Sequence, residues 1–244
     1  MNVIVGRHPV IEALRSGTLI EKILISKTTH GEALHTIRQM ARERNILCVD
    51  VQAEKLGKYT DSQTTQGIVA IVGEKAYCEV EDILAIAAAK KERPFILIFD
   101  EIEDPHNLGA LIRSAVCTGA HGGIIPKHNA ASVTETVAKT SAGASAHFPI
   151  AKVTNIAQTI DELKHQGVWI VGTEIGAKQT FMEIDYTMPV AIVVGNEGRG
   201  MRRLVKEKCD FLVSIPMRGS LDSFNASVAG ALLMYEVLRR RYAK

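Results

Sequence analysis

Residues 95–113 read FILIFDEIEDPHNLGALIR, and this stretch decides the fold. Five apolar residues, Phe95 to Phe99, run without a polar interruption and stop at Asp100. A short, non-alternating run of this kind marks a strand buried on both faces, as in a parallel sheet. A polar loop with Pro105 follows, and apolar positions then recur at helical spacing, which predicts a helix over 108–118. Outward from this unit the alternation repeats. Strand-like runs stand at GGIIP (122–126), VWIVGT (168–173), VAIVVG (190–195) and FLVSIP (211–216). Helical patterns fall at 132–141, 156–165, 200–208 and from about 223 to 240. The prediction is an α/β fold with a parallel sheet covered on both faces. Ligands of such sheets bind beyond the carboxyl ends of the strands.

Upstream, a smaller α/β unit is expected. A strand at Val3–Val5 closes on Gly6, and a short helix through Val10, Ile11 and Leu14 stops at Ser16-Gly17. A strand over 22–26, an amphipathic helix over 32–44, a strand over 46–51 and a β-rich run over 68–72 complete the unit near Gly73. Residues 80–93 then read as a helix with acids first and bases last, a polarity that suits the helix dipole. Pro94 stops it. The expected organisation is a domain over 1–75, a linker with a helix over 76–94 and a second domain over 95–244.

Composition restricts the function only loosely. Of 244 residues, 46% are hydrophobic and 23% charged, with mean hydropathy +0.07, which fits an ordinary soluble protein. No apolar run approaches the roughly 20 residues of a membrane span. The start, MNVIVGRHPVIEALRSG, lacks the basic-then-apolar layout of a secretory signal, so a cytoplasmic protein is expected. Cys48, Cys78, Cys117 and Cys209 form no CxxC and read as buried small hydrophobes. The eight histidines form no HExxH, so no metal is expected. A net charge of +2 neither requires nor excludes a nucleic-acid partner.

Three loops at strand ends carry candidate chemistry. The first, DEIEDPHNLGALIR, holds Asn107 and Arg113, six residues apart. These converge only if the chain bends back at Pro105; otherwise Asn107 is a helix cap and Arg113 a solvated side chain. The second, VVGNEGRGM (193–201), has glycines at 195, 198 and 200. That spacing is neither the dinucleotide fingerprint nor a Walker-A loop, which argues against a nucleotide-dependent dehydrogenase. It is either a close backbone approach to a ligand or a tight turn. The third, IPMRGSLDSFNASVAGALLMYE (215–236), passes through Arg218, Ser223 and Asn225 into a helix of small residues. It is either a site or a well-packed end.

Taken in order, these three loops resemble the three motifs of the SpoU (TrmH-like) methyltransferases of the SPOUT class, over the whole stretch from Phe95 onward. The N-terminal stretch, opening VGRHPVIEAL and closing on Gln66-Gly67-Ile68-Val69, resembles the small L30e-like RNA-binding domain of RlmB-type ribosomal RNA enzymes. The resemblance implies a trefoil-knotted methyltransferase domain, a homodimer, and S-adenosylmethionine held beside the subunit interface. It implies catalytic roles for Asn107, Arg113, Glu197, Ser223 and Asn225. It implies cofactor contacts from Gly195, Ile215 and Phe224, with Gly172 and Thr173 as a further wall. The chain has Phe224 where the family usually has Leu, and Thr65 where His is common.

The implied activity is 2′-O-ribose methylation of a guanosine in 23S ribosomal RNA. A tRNA, another rRNA site, or a non-catalytic ribosome-assembly role are the alternatives. A guanidinium stays charged at neutral pH, so Arg113 is expected to anchor a phosphate and favour the alkoxide rather than act as a base. Asn107 and Asn225 would orient it, Glu197 would hold the Arg or Asn, and Ser223 would bond ribose or phosphate. Arg199, Arg202, Arg203, Lys206 and Arg218 form either a phosphate-tracking surface or a solvated face.

Overall fold

The computed structural model describes residues 3–15, 18, 20–59, 65–72, 77–219 and 223–242. The glycine stop expected at Ser16-Gly17 and the close of the first unit at Gly73 lie outside these residues. The chain divides into two compact units, 1–75 and 76–244.

The N-terminal unit runs β1 (Val3–Val5), α1 (Arg7–Arg15), β2 (Ile20–Ser26), α2 (Glu32–Glu43), β3 (Leu47–Val51), α3 (Ala53–Leu56) and β4 (Ile68–Val72). Its four-stranded sheet has the order β1-β4-β2-β3, with only β2 and β3 parallel. Strand periodicity sends Ile23, Ile25, Ile68 and Ala70 to a core with Val10 and Leu14 of α1 and Ile37 of α2. The intervening Leu24, Val69 and Ile71 pack with Val51 and with Leu56 of α3 on the other face. The one-turn helix α3 is too short to leave a periodic signature in the sequence.

The second unit opens with α4 (Val80–Ala89), whose capping box joins Glu79 and Asp82. The stretch expected as a linker is therefore corrected. Val80 and Ile83 lie in the unit's own core with Ile98 and Ile124, and Cys78 bridges to Ala151 beside the sheet. Then follow β5 (Phe95–Asp100), α5 (Pro105–Cys117), β6 (Gly122–Pro126), α6 (Glu135–Thr140), β7 (Ile150–Val153), α7 (Ile156–His165) and β8 (Trp169–Thr173). The chain ends with β9 (Gln179–Thr180), β10 (Val190–Gly195), α8 (Arg203–Lys208), β11 (Phe211–Ser214) and α9 (Ala226–Tyr242).

All seven strands are parallel, in the order β7-β6-β5-β10-β8-β11-β9. Alternate residues of β5 and β10 serve two cores. Phe95, Leu97, Phe99, Val190, Ile192 and Val194 meet α5 and α9, while Ile96, Ile98, Ala191 and Val193 meet α4, α7 and α8. The double-sided burial expected from the apolar runs is what the chain has.

Strand β11 lies between β8 and β9, although residues 174–178 join β8 directly to β9. That short connection must cross the end of β11, and the chain leaving β11 toward α9 must pass it.

At the other end of the sheet, Arg241 fastens α9. Its guanidinium donates to the carbonyls of Arg93 (2.7 Å), Pro94 (3.0 Å), Met188 (2.9 Å) and Tyr186 (3.1 Å). It also lies 5.5 Å from the centre of the Phe95 ring. Burial lowers its pKa to about 10.

Candidate active site

The carboxyl ends of the central strands gather the three loops. After β5 the chain turns at Glu101, with φ 58, and Asp104 caps α5 by accepting the His106 N–H at 2.9 Å. Pro105 then occupies the first turn, where its missing N–H costs nothing. The helix thus starts three residues earlier than the expected 108, and Asn107 is inside it rather than its cap. Asn107 is 8% exposed and points toward the second loop.

There it meets Glu197. Asn107 Nδ2 donates to Glu197 Oε2 at 3.1 Å, and Asn225 Nδ2 donates to Glu197 Oε1 at 2.9 Å. The same Asn225 nitrogen lies 3.0 Å from Asn107 Oδ1, and Asn225 Oδ1 accepts the N–H of Ser227 at 2.9 Å, capping the start of α9. Three side chains from the three loops thus form one hydrogen-bonded cluster.

Arg113 is not part of that cluster. It lies on α5 with Asn107, and six residues of helix rotate a side chain by about 240° and carry it roughly 9 Å. The two do not converge, and Arg113 is exposed. The expectation that Glu197 holds the Arg or Asn resolves to the two asparagines.

The second loop is held by its own side chains. Asn196 accepts the N–H of Gly198 at 3.0 Å and of Arg199 at 3.2 Å, and its amide donates to the Glu101 carbonyl at 2.9 Å. Buried Asp100 accepts from Arg202 through both the backbone N–H (2.8 Å) and Nε (2.7 Å). A Cβ on Gly195 would lie 2.5 Å from the backbone of Gly200 and Met201, so only glycine fits where β10 meets the loop. Asn196 and Asp100 are residues that sequence reasoning missed, although both stand inside the quoted loops.

A cavity of about 260 Å³ opens beside the cluster. Thr173, Gly195, Glu197, Ile215, Ser223 and Phe224 line it, together with Glu174, Ile175, Gly176, Met217 and Ala229, which sequence reasoning missed. Gly172 does not line it. Its Cα faces Met201 and Cys209, where an added Cβ would come within 2.7 Å of the methionine methyl. Phe224 is 40% exposed at the cavity wall. Glycine, alanine and strand-end backbone let a ligand approach the main chain closely, while Glu174, Asn196, Glu197 and Ser223 offer polar contacts.

Four of the five basic residues near the site are paired with acids. Arg199 meets Glu103 at 2.6 Å, Arg202 meets Asp100 at 2.6 Å, Arg203 meets Glu207 at 2.7 Å and Lys206 meets Glu174 at 2.5 Å. That is a solvated, neutralised face more than a phosphate track. Among the described residues no group of three or more His, Cys, Asp or Glu could hold a metal ion. Cys48, Cys78 and Cys209 are half-buried and Cys117 is exposed, against the burial expected of all four, and burial pushes the Cys209 thiol up to about 12. No helix among the described residues is long and apolar enough to cross a membrane.

Comparison with known proteins accounts for this arrangement. Residues 94–235 match the SpoU rRNA Methylase family, and residues 3–78 match the family of RNA 2′-O ribose methyltransferase substrate-binding domains. YacO of Bacillus subtilis, described as a TrmH family tRNA/rRNA methyltransferase, is 46% identical over 98% of this chain and 95% of its own. Among solved structures, the SpoU methyltransferase AviRb of Streptomyces viridochromogenes, in complex with AdoMet, superposes with a TM-score of 0.70 and 25% identity. It covers 99% of this chain and 91% of its own. An AdoMet-bound rRNA methyltransferase of Sinorhizobium meliloti superposes at 0.68, also 25% identical, over 99% of this chain and 88% of its own. The fold is that of an AdoMet-dependent RNA methyltransferase with a separate substrate-binding unit. The chain belongs to the SpoU family of RNA methyltransferases.

Proposed function

We propose that the protein transfers a methyl group from S-adenosylmethionine to the ribose 2′-hydroxyl of a guanosine in 23S ribosomal RNA, in the cytoplasm. The observation that carries this reading is the Asn107–Glu197–Asn225 cluster at the edge of the cavity. Ribosomal RNA as the substrate is supported by the likeness, over nearly the whole chain, to the Sinorhizobium meliloti rRNA enzyme. The tRNA/rRNA wording of the Bacillus relative makes a tRNA the second reading.

The cavity suits the cofactor by its donor set and by its bare backbone. Thr173, Gly195 and Ile215 would hold it through main-chain contacts, with Phe224 against an aromatic ring and Glu174 offering a carboxylate to hydroxyl or amino groups. When bound, S-adenosylmethionine supplies an electrophilic methyl group on a sulfonium. The residues of the chain have three tasks: aligning the 2′-oxygen in line, favouring its deprotonated form, and keeping the phosphate in register. Glu197 fixes both asparagine amides, which leaves Asn107 and Asn225 presenting a set geometry to the ribose. Ser223, at the cavity edge, hydrogen-bonds ribose or phosphate.

Arg113 completes the site from a second copy of the chain. An exposed apolar stripe supports this homodimer: Val228, Leu232 and Tyr235 on α9 are 45%, 37% and 61% exposed, and Val116 on α5 is 45% exposed. Their spacing puts the α9 residues on one helix face. Arg113 is one turn before Val116, so a partner covering the stripe can bring its arginine to this cluster. The crossing of residues 174–178 over β11 supports a trefoil knot, with the cavity in its loops.

The test is methyl transfer in solution from S-adenosylmethionine to protein-free 23S rRNA, with the modified position mapped. Incorporation at a ribose of 23S rRNA agrees with the proposal; incorporation into tRNA alone replaces it with the second reading.

A further inference from the structure

The N-terminal unit has a cleft that no part of the methyl-transfer site uses. It lies where α1 begins, where β2 ends and where β4 begins. The loop before β4 is locked in place. The Gly67 carbonyl accepts the Ser26 N–H at 2.8 Å and the Thr29 hydroxyl at 3.3 Å, and Gln66 Oε1 accepts the Arg7 N–H at 3.1 Å. Gly67 has φ +75, and a Cβ there would lie 1.8 Å from Thr29 Oγ1, so the turn tolerates no side chain. Gln66 before it is also left-handed, with φ 46.

This turn frames an open cleft of about 630 Å³, lined by Arg7, His8, Ser26, Thr28, Thr29 and Gln66 among others. That is within the roughly 300–1,000 Å³ typical of small-ligand sites. Its polar lining is one-sided: a guanidinium, an imidazole, hydroxyls and an amide, with no carboxylate among the described residues that line it. No ion pair among the described residues involves Arg7 or His8, in contrast to the paired basic residues around the cofactor cavity. The Arg7 Nε–H donates to the Gln66 carbonyl at 3.3 Å, which fixes the plane of the guanidinium and presents its terminal nitrogens. A fixed guanidinium beside an imidazole is suited to phosphate oxygens. Paired hydroxyls, with Ser26 Oγ and Thr28 Oγ1 2.8 Å apart, are suited to a sugar or a base edge.

We propose that this cleft is where the N-terminal unit grips its RNA, by taking one unpaired nucleotide. The phosphate lies against Arg7 and His8, and the sugar and base edge against Ser26, Thr28 and Gln66. The inference rests on the reading of the protein as an RNA-modifying enzyme and adds the place and chemistry of the grip. A cleft that takes a base out of the stack selects a splayed, single-stranded segment over a duplex, whose bases stay stacked.

The experiment uses the full chain and a 12-nucleotide single-stranded RNA, with its duplex as comparison, in anisotropy titrations at several salt concentrations. His8→Gln and the double variant Arg7→Gln/His8→Gln remove the imidazole and the guanidinium that face the phosphate, and Thr28→Val replaces a hydroxyl with a group of nearly the same shape. The expected result is about a tenfold or larger fall in affinity for the double variant. Its slope of log affinity against log salt should shrink by about one for each phosphate no longer neutralised. Thr28→Val should bind more weakly with the slope unchanged, a split that a folding defect does not produce. Arg38→Gln/Arg42→Gln, on the far end of α2, should bind as wild type, and calorimetry should give every variant the same S-adenosylmethionine affinity. Wild-type affinity in His8→Gln, the double variant and Thr28→Val, or a preference for duplex, overturns the cleft while an enzyme that still methylates RNA keeps its function. A wild-type protein that transfers no methyl group to any RNA overturns the functional reading itself.

Discussion

Asn225 donates from one amide nitrogen to Glu197 Oε1 at 2.9 Å and toward Asn107 Oδ1 at 3.0 Å, joining residues 28 and 118 positions away in the chain. Glu197 uses both carboxylate oxygens as acceptors, one for each asparagine. Glu197→Gln has the same shape but only one acceptor, and it sets an NH₂ group against an asparagine NH₂. We predict a fall in kcat of about 10²-fold, the scale of removing one preorganised electrostatic contact. Because Glu197 is exposed, the midpoint of unfolding should barely move. Steady-state kinetics beside a urea titration checks both; an unchanged kcat removes the cluster from the mechanism.

Arg113 and Glu197 lie in different places on one copy, which makes a mixing experiment decisive. Arg113→Ala should bind S-adenosylmethionine normally and methylate no RNA. If the arginine acts across a dimer, co-refolding Arg113→Ala with Glu197→Gln restores about a quarter of wild-type activity, since half the dimers are mixed and each has one intact site. Activity no greater than the sum of the two single variants would place Arg113 in its own copy's site or outside any site.

Much of this architecture is legible before any coordinates. The runs at 95–99 and 190–194 are apolar without alternation because both faces of those strands are covered, and the helix over 156–165 has the bounds its periodicity predicts. Strand β7 escapes notice because Pro149 precedes it and Lys152 interrupts its four residues. The site divides in the same way. Asn107, Glu197 and Asn225 can be picked by type and order, but not the hydrogen bonds that join them across 90 and 118 residues. Gly172 misleads because a glycine at a strand end serves packing against Met201 as readily as a ligand. Nor can charge alone tell that Arg199, Arg202, Arg203 and Lys206 each find an acid.

Arg241 closes the amino end of the sheet by satisfying four carbonyls, those of Arg93, Pro94, Tyr186 and Met188. Arg241→Met removes that donor. The Pro94 carbonyl keeps the Val190 N–H at 2.9 Å. Loss of the other three contacts should cost roughly 2–3 kcal/mol, since unpaired half-buried polar groups cost about 1 kcal/mol or more each. Arg241→Lys should recover less than half, because an ammonium cannot span the four acceptors. Urea denaturation measures both; a loss under about 1 kcal/mol for the methionine variant contradicts this role.

His121 makes stability depend on pH. Its Nδ1 accepts the Phe95 N–H at 3.0 Å, so the ring is neutral and Nε2 faces Glu92 at 3.0 Å. Burial lowers its pKa, against the opposing pull of the Glu92 hydrogen bond. Protons therefore bind the unfolded chain first. Stability is complete above the unfolded value of about 6.5 and declines as the pH falls from there toward the lower folded value. Denaturation midpoints at about pH 7.5 and 5.5 should differ in wild type and differ less in His121→Asn. Equal pH dependence in the two proteins contradicts the assignment.

The most direct test of the central claim is the fate of a labelled methyl group. With tritiated S-adenosylmethionine and protein-free 23S rRNA from cells lacking this gene, the account predicts label at one ribose 2′-oxygen. That label should be lost with Asn107→Ala and Glu197→Gln while cofactor binding persists. Label on a base, or undiminished 2′-O-methylation when Asn107 and Glu197 are changed, would contradict it.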